Sequence, residues 1–363
     1  MVAGEEASDK VVVVGGGIAG FETVLRLERG LDAEIVLVEP REALNFYPGL
    51  HKIVKGSEVD DALIDYSEKF EGRNVKHLKE EMRGLDAENN VLELESSSIS
   101  YDKLVLAFGV ETDFYMTEEE FSYSFRSVED VKEIRDRLES GIESAVVVGG
   151  GATGVEAAAS LNTFRKKKEF SFDITVVQSD DRLLPFNEKR TSRKIENILL
   201  EKGINVEKNV RAEVVKQEAV KCSNGEIYDS DLTVWAAGVR KNDLVEEITV
   251  PANERGIIVD KGMKVKDMDD IYAVGDVVDY EGKENRAYFA ISEAKTAAKN
   301  IKADLKGGEE VENSFIWDPQ AIYLGGKTSA LELPGITVTG FLPHLVQEYF
   351  IDKRYMLSRK HLL

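Results

Sequence analysis

Gly15, Gly17 and Gly20 stand at Gly-x-Gly-x-x-Gly spacing, and an acid, Glu39, follows about 20 residues on. These residue types at this interval suit one task. The first glycine permits a tight turn, the second lets the backbone approach a pyrophosphate, and the third lets a helix pack closely on a strand. The diphosphate would rest on the open N–H groups of the helix start, and Glu39 would accept hydrogen bonds from ribose hydroxyls. The arrangement returns as Gly149, Gly151 and Gly154, with Glu156 two residues further on. Two copies imply two dinucleotide sites.

Each copy lies where its chemistry needs it. Val11-Val12-Val13-Val14 is a β-branched run that reads as a strand buried on both faces. A helix over 21–29 and a strand over 33–39 follow it. In the second copy Ser144 to Val148 forms the strand, 155–162 the helix and 174–177 the next strand. Strand, glycines, helix, strand and acid in order are far more specific than the glycines alone. Further buried strands are expected over 101–109, 232–239 and 271–276, and short strands over 75–86, 91–95, 205–228 and 256–260. Helices are expected over 62–70, 128–138, 190–202 and 287–304. The acidic stretch 111–126 reads as a domain boundary. Arg165-Lys166-Lys167-Lys168 reads as a solvated helix end that complements the dipole.

With 363 residues the chain is long enough for two or three domains, and a net charge of −21 argues against nucleic-acid binding. Its single cysteine, Cys222, excludes an intramolecular disulfide and any Cys-rich metal site. Cys222 lies far in sequence from both glycine loops and reads as a packing residue. His51, His77, His344 and His361 form no ligand-spaced set, so no metal is expected. The N-terminus lacks the apolar core of a secretory signal, and no run reaches the ~18–20 apolar residues of a spanning helix. The expected location is the cytoplasm, with attachment to a membrane face left open.

Four motifs, 15–20 with Glu39, 101–109, 149–156 and 271–276, together resemble the two-dinucleotide flavoprotein disulfide-reductase superfamily. Within it, the chain looks most like the type II NADH dehydrogenases, single-subunit NADH:quinone oxidoreductases. The string Trp235-Ala236-Ala237-Gly238-Val239 adds to the likeness. The resemblance implies an α/β protein of two Rossmann-like domains plus a small C-terminal region. An FAD-binding domain over 1–112 and 244–310 would be split by an NAD(P)H-binding domain over 113–243, with 311–363 as the C-terminal region. It implies that Gly15, Gly17, Ile18, Ala19, Gly20, Glu39, Pro40, Arg41, Met82, Ala107, Gly109, Gly275 and Asp276 hold FAD. Gly151, Ala152, Thr153, Gly154, Gln178 and Gly238 would hold NADH, and Glu156 would lie near the nicotinamide. Hydride would pass from NADH to the flavin, and electrons on to a quinone, without proton pumping. The alternatives are a soluble reductase of a small redox protein or another acceptor, and a sulfide:quinone-type enzyme. Thiol chemistry needs sulfur at the flavin, and the stretch 45–50 has none.

The chain departs from the resemblance at two places. The strand after the second glycine loop ends in Gln178 rather than an acid, which removes repulsion of a 2′-phosphate. NADPH tolerated beside NADH is therefore expected, although Asp180 and Asp181 nearby still favour NADH. The helix from Ala287 carries Ser292 and Glu293 where the family has paired glutamines, so Glu293 becomes the candidate catalytic group toward the acceptor. In the tail, Leu342, Leu345, Val346, Tyr349 and Phe350 share one helical face, followed by Lys353, Arg354, Arg359 and Lys360. Such a segment suits a membrane interface with anionic lipid, or a dimer contact. A homodimer is the default assembly.

Overall fold

The computed structural model describes residues 8–115, 121–314 and 320–352, and the basic tail after Asp352 lies outside them. The chain forms two compact units. The first comprises Met1–Leu44, Asp65–Glu111 and Val239–Trp317; the second comprises Asn45–Ile64, Thr112–Gly238 and Asp318–Leu363. The α/β class expected from the strand–helix alternation is observed, with parallel sheets in both units.

In the first unit a five-stranded sheet runs in the order Ile271–Ala273, Lys103–Leu106, Lys10–Val14, Glu34–Val38, Val75–Leu78. Every pairing is parallel. The valine run occupies the centre, and Val11, Val12 and Val13 are fully buried, as a strand covered on both faces must be. The helix Ile18–Glu28 turns Phe21, Val24 and Leu27 inward and packs against the helix Ala287–Lys306. Lys302 donates to the carbonyls of Arg26 and Arg29, and Lys306 to that of Gly30. The later segment thus caps the carbonyls at the end of the earlier helix and ties the two stretches of the split unit together.

A second tie lies at the start of the strand Lys103–Leu106. Lys103 Nζ, on a side chain 11% exposed, donates to Asp270 at 2.7 Å and to Asp304 at 2.9 Å, and Tyr272 Oη donates to Asp304 at 2.8 Å. Burial raises the Asp304 pKa, but the bonds from Lys103 and Tyr272 outweigh it and hold the carboxyl below its ordinary value. A carboxyl so depressed stabilises the fold above the ordinary pKa, about 3.9, and loses that contribution as pH falls through the lower folded value. Asp304→Asn is therefore expected to lower the urea midpoint at pH 7, and its gap from the wild type should close below about pH 4. A gap that stays constant down to pH 3 would contradict this.

The second unit repeats the plan. Its sheet runs Tyr123–Ser124, Leu232–Trp235, Ser144–Val148, Asp173–Gln178, Asn205–Lys208, again with every pairing parallel. Each unit also carries a three-stranded antiparallel sheet: Met82–Asp86, Val91–Leu94 and Ser98–Ser100 in the first, Ala212–Lys216, Ala219–Cys222 and Ile227–Asp229 in the second. The second unit gathers two further pieces. The helix Leu50–Val54 packs on the helices Val128–Glu139 and Ala152–Lys168, and Leu50, Ile53 and Val54 join the core of that unit. The antiparallel sheet Gln320–Tyr323, Ser329–Leu333 and Ile336–Gly340 packs there too, through Ile322 and Ala330. The compact units thus differ from the sequence boundaries: 45–64 and the described residues of 320–352 group with the second unit.

Two local expectations need correction. The helix over 62–70 is instead a 3-10 turn Val59–Ala62, a strand Leu63–Asp65 and a short helix Tyr66–Phe70. Asp65 caps that helix by accepting from Glu68 N at 3.1 Å, which delays its start. Arg165 is not a freely solvated end of the basic run. Its guanidinium bonds the carbonyls of Phe172, Lys202 and Gly203 and the side chain of Asn162. In the tail, the helix Phe341–Val346 continues as a π-helical turn Gln347–Asp352 and buries Pro343, His344 and Gln347. On the expected apolar face, Leu342 is 71% and Tyr349 61% exposed.

Candidate dinucleotide-binding sites

The first glycine loop joins the central strand to the helix Ile18–Glu28. Gly15 has φ +96°, and a Cβ there would meet the Ala107 carbonyl oxygen at 2.5 Å. A Cβ on Gly20 would overlap the Gly15 carbonyl. Gly17 differs: nothing lies within 4 Å of its Cβ position, and it precedes a helix whose first N–H groups receive no side-chain cap. Uncapped donors beside open space suit an anion. Ile18 and Ala19 form the first turn and are buried.

Glu39 follows the adjacent strand, buried to 3% exposure. Its Oε2 accepts from Gly16 N at 2.7 Å, and Arg41 binds it through Nε and its own backbone N–H. Burial raises the Glu39 pKa, but Arg41 and the Gly16 N–H overcome it and hold the group below its ordinary value. It is an anion at neutral pH. Pro40 and Arg41 are exposed beside it, Met82 is buried at the start of its strand, and Ala107 lies against the loop. Gly109 has φ +72° with open space at its Cβ position.

Gly275 takes φ +84°, and Asp276 follows in a short 3-10 turn. The turn is held by Glu293, which is fully buried. Glu293 accepts from Gly275 N at 2.7 Å, Tyr280 Oη at 2.6 Å and Lys283 Nζ at 2.8 Å. Burial first, and then the charge of Glu293, push the Tyr280 phenol up, so it stays a donor. Ser292 donates instead to Asn313. Sequence reasoning missed Tyr280 and Lys283, which sit in a polar loop with no distinguishing pattern. It also missed Tyr66, whose hydroxyl donates to the Gly16 carbonyl at 2.6 Å.

The second loop repeats the first. Gly149 has φ +101°, a Cβ on Gly154 would overlap the Gly149 carbonyl, and the space at Gly151 is open. Gly151 precedes the helix Ala152–Lys168 without a side-chain cap, and Thr153 is exposed in its first turn. Gly238 has φ +137° and open space at its Cβ position. Gln178 stands where Glu39 stands in the first unit, and its Oε1 accepts from Gly150 N at 2.8 Å. Glu156 Oε1 accepts from Tyr323 N at 2.9 Å. Both cradles fit the diphosphate of a dinucleotide on the same three grounds: a tight glycine turn, an uncapped helix start and open space over the middle glycine.

A family model described as pyridine nucleotide-disulphide oxidoreductase matches residues 9–299. The chain belongs to this family. The family implies FAD and NAD(P)H as cofactors, in agreement with the two cradles. An NADH oxidase of Methanocaldococcus jannaschii is 27% identical, the match covering 93% of this chain and 78% of that protein. A type II NADH:quinone oxidoreductase of Staphylococcus saprophyticus is 25% identical, covering 85% of each. Among solved structures, the sulfide:quinone oxidoreductase of Aquifex aeolicus superposes with a TM-score of 0.87 at 21% identity, over 97% of this chain and 91% of that one. At that identity the likeness shows the fold.

The family name includes disulphide chemistry, yet the sulfur of this oxidoreductase is not placed for it. Cys222 is fully buried in the core of the second unit. Burial, helped by Glu213 and Glu226, pushes its thiol up to about 11, so no thiolate is available at neutral pH.

Proposed function

We propose that this chain is an FAD-dependent NADH dehydrogenase that passes electrons to a quinone. The observation that supports it is the pair of matching cradles, one ending in an anion and one in an amide, together with a buried thiol that stays protonated at neutral pH. The first cradle, Glu39 and the Gly275–Asp276 turn bind FAD; the second cradle and Gly238 bind the reduced nicotinamide dinucleotide. When bound, these cofactors supply hydride transfer, and the chain supplies position and electrostatics. Gly17 and Gly151 present helix-start N–H groups to the diphosphates. Glu156, fixed by Tyr323 N, keeps a carboxylate near the nicotinamide end. Glu293 acts as a positioning residue, holding the Gly275 amide and so the Asp276 turn.

The quinone reading is tested by steady-state NADH oxidation with a short-chain quinone, oxygen or a small iron–sulfur protein as acceptor. Turnover fastest with quinone is expected. Oxygen turning over as fast would favour an oxidase, and selective reduction of the small protein would favour a soluble reductase.

The outward face of the C-terminal helix supports attachment to a membrane surface. Phe341, Leu342, Leu345 and Tyr349 are all exposed, while His344 and Gln347 face inward and bond Ser329. No helix among the described residues is long and apolar enough to cross a membrane. Each large apolar side chain placed in the interface contributes about 1.5–3 kcal/mol, so Leu342→Glu with Leu345→Glu should abolish sedimentation with anionic vesicles. NADH-driven flavin reduction should persist. Unchanged sedimentation would remove the membrane assignment, and a change of oligomeric state instead would make this face a dimer contact.

A further inference from the structure

The second glycine loop lacks the acid that its strand position calls for, and neighbouring bonds show where the charge has moved. In the first unit Gly16 N donates to Glu39 Oε2 at 2.7 Å; in the second Gly150 N donates to Gln178 Oε1 at 2.8 Å. The glutamine thus keeps the part of the acid's role that fixes the loop. The rest of its side chain behaves differently. Gln178 Nε2 donates to Asp180 Oδ2 at 2.8 Å. A glutamate at 178 would repel that carboxylate, whereas the amide holds it.

The main chain fixes the same pair. Val210 N donates to the Gln178 carbonyl and Asn209 N to the Asp180 carbonyl, each at 3.0 Å. Asp180 is exposed while Gln178 is buried, so the anion stands on the solvent side of the strand end. That is where a dinucleotide in such a unit places its adenosine ribose. Two cations near this strand end have partners of their own. Arg182 pairs with Asp181 at 3.7 Å and donates to the Pro185 carbonyl, and Lys208, in register with Gln178, donates to Glu196 at 2.5 Å.

We propose that Asp180, held by Gln178, selects the nucleotide: it accepts from the ribose hydroxyls of NADH and repels the 2′-phosphate of NADPH. The charge has moved two residues along the chain, and selectivity moves with it. This overrides the relaxed selection that Gln178 by itself suggests. The inference rests on reading the second cradle as the nicotinamide dinucleotide site.

The test is calorimetric titration of the full-length holoenzyme with NADH and with NADPH, alongside kcat/KM for each with ferricyanide as acceptor. Wild type should prefer NADH by at least about tenfold, because apposed like charges are strongly disfavoured at a binding interface. Asp180→Asn should bring the two nucleotides to within about threefold, NADPH tightening and NADH weakening. A wild type that binds both nucleotides alike, or an Asp180→Asn variant with the wild-type ratio, would overturn the proposal. Selective binding without flavin reduction would leave Asp180 as selector and remove the dehydrogenase reading. Failure to bind either nucleotide would remove both.

Discussion

Gly17→Val should yield a folded protein that purifies without flavin. Gly17 has φ −61° and ψ −177°, an extended conformation that valine adopts readily, and no atom lies within 4 Å of its Cβ position. The fold therefore has little reason to object. The new side chain would stand over the uncapped helix start, where a bound diphosphate would accept its hydrogen bonds. Two lost bonds to a charged group correspond to at least about 100-fold weaker FAD binding. The ratio of flavin to protein absorbance and the far-ultraviolet circular dichroism report the two halves of this expectation. Gly20→Val provides the contrast: its Cβ would overlap the Gly15 carbonyl, so that variant should fail to fold. A yellow Gly17→Val protein with undiminished FAD affinity would show that the diphosphate lies elsewhere.

Glu293→Ala is expected to destabilise the protein by about 3–5 kcal/mol, because it leaves a buried charge without its partner. The Lys283 side chain is 5% exposed and Glu293 fully buried, and the same carboxylate satisfies Tyr280 and the Gly275 amide. Removing it strands three donors at once. Glu293→Ala with Lys283→Met should recover much of the loss, since the unpaired ammonium is then gone. Urea unfolding of the FAD-loaded protein measures both. A single variant within about 0.5 kcal/mol of wild type would mean that the site is wet or easily rearranged.

The same residue shows how far sequence reading reaches. Glu293 stands, with Ser292, where the resemblance implies a glutamine pair, and the sequence therefore points it toward the acceptor. Its burial and its three donors come from Gly275, Tyr280 and Lys283, which are 10 to 18 residues away along the chain. No local pattern announces such a contact. The cradles were legible because each is local: a valine run, glycines and the following helix fix one another within about one βαβ unit. The parallel sheets followed from that, since βαβ crossovers permit little else. The helix expected over 62–70 failed for a reason of similar scale, an Asp65 cap that starts the helix at Tyr66. The tail pattern was real, but periodicity reveals only that one face is apolar. Here the core takes Pro343, His344 and Gln347, and Leu342, Leu345 and Tyr349 are left outside.

On the proposed reading, the second cradle would deliver reducing equivalents from NADH to a flavin held by the first. The anaerobic flavin spectrum before and after one equivalent of NADH tests it most directly, in the wild type and in Gly151→Val. Gly151 has the same open space as Gly17, so its valine variant should keep its flavin and lose its nucleotide. Rapid bleaching is expected in the wild type, and a flavin that stays oxidised in Gly151→Val. A wild-type flavin that stays oxidised, or a variant that bleaches as fast as the wild type, would contradict it.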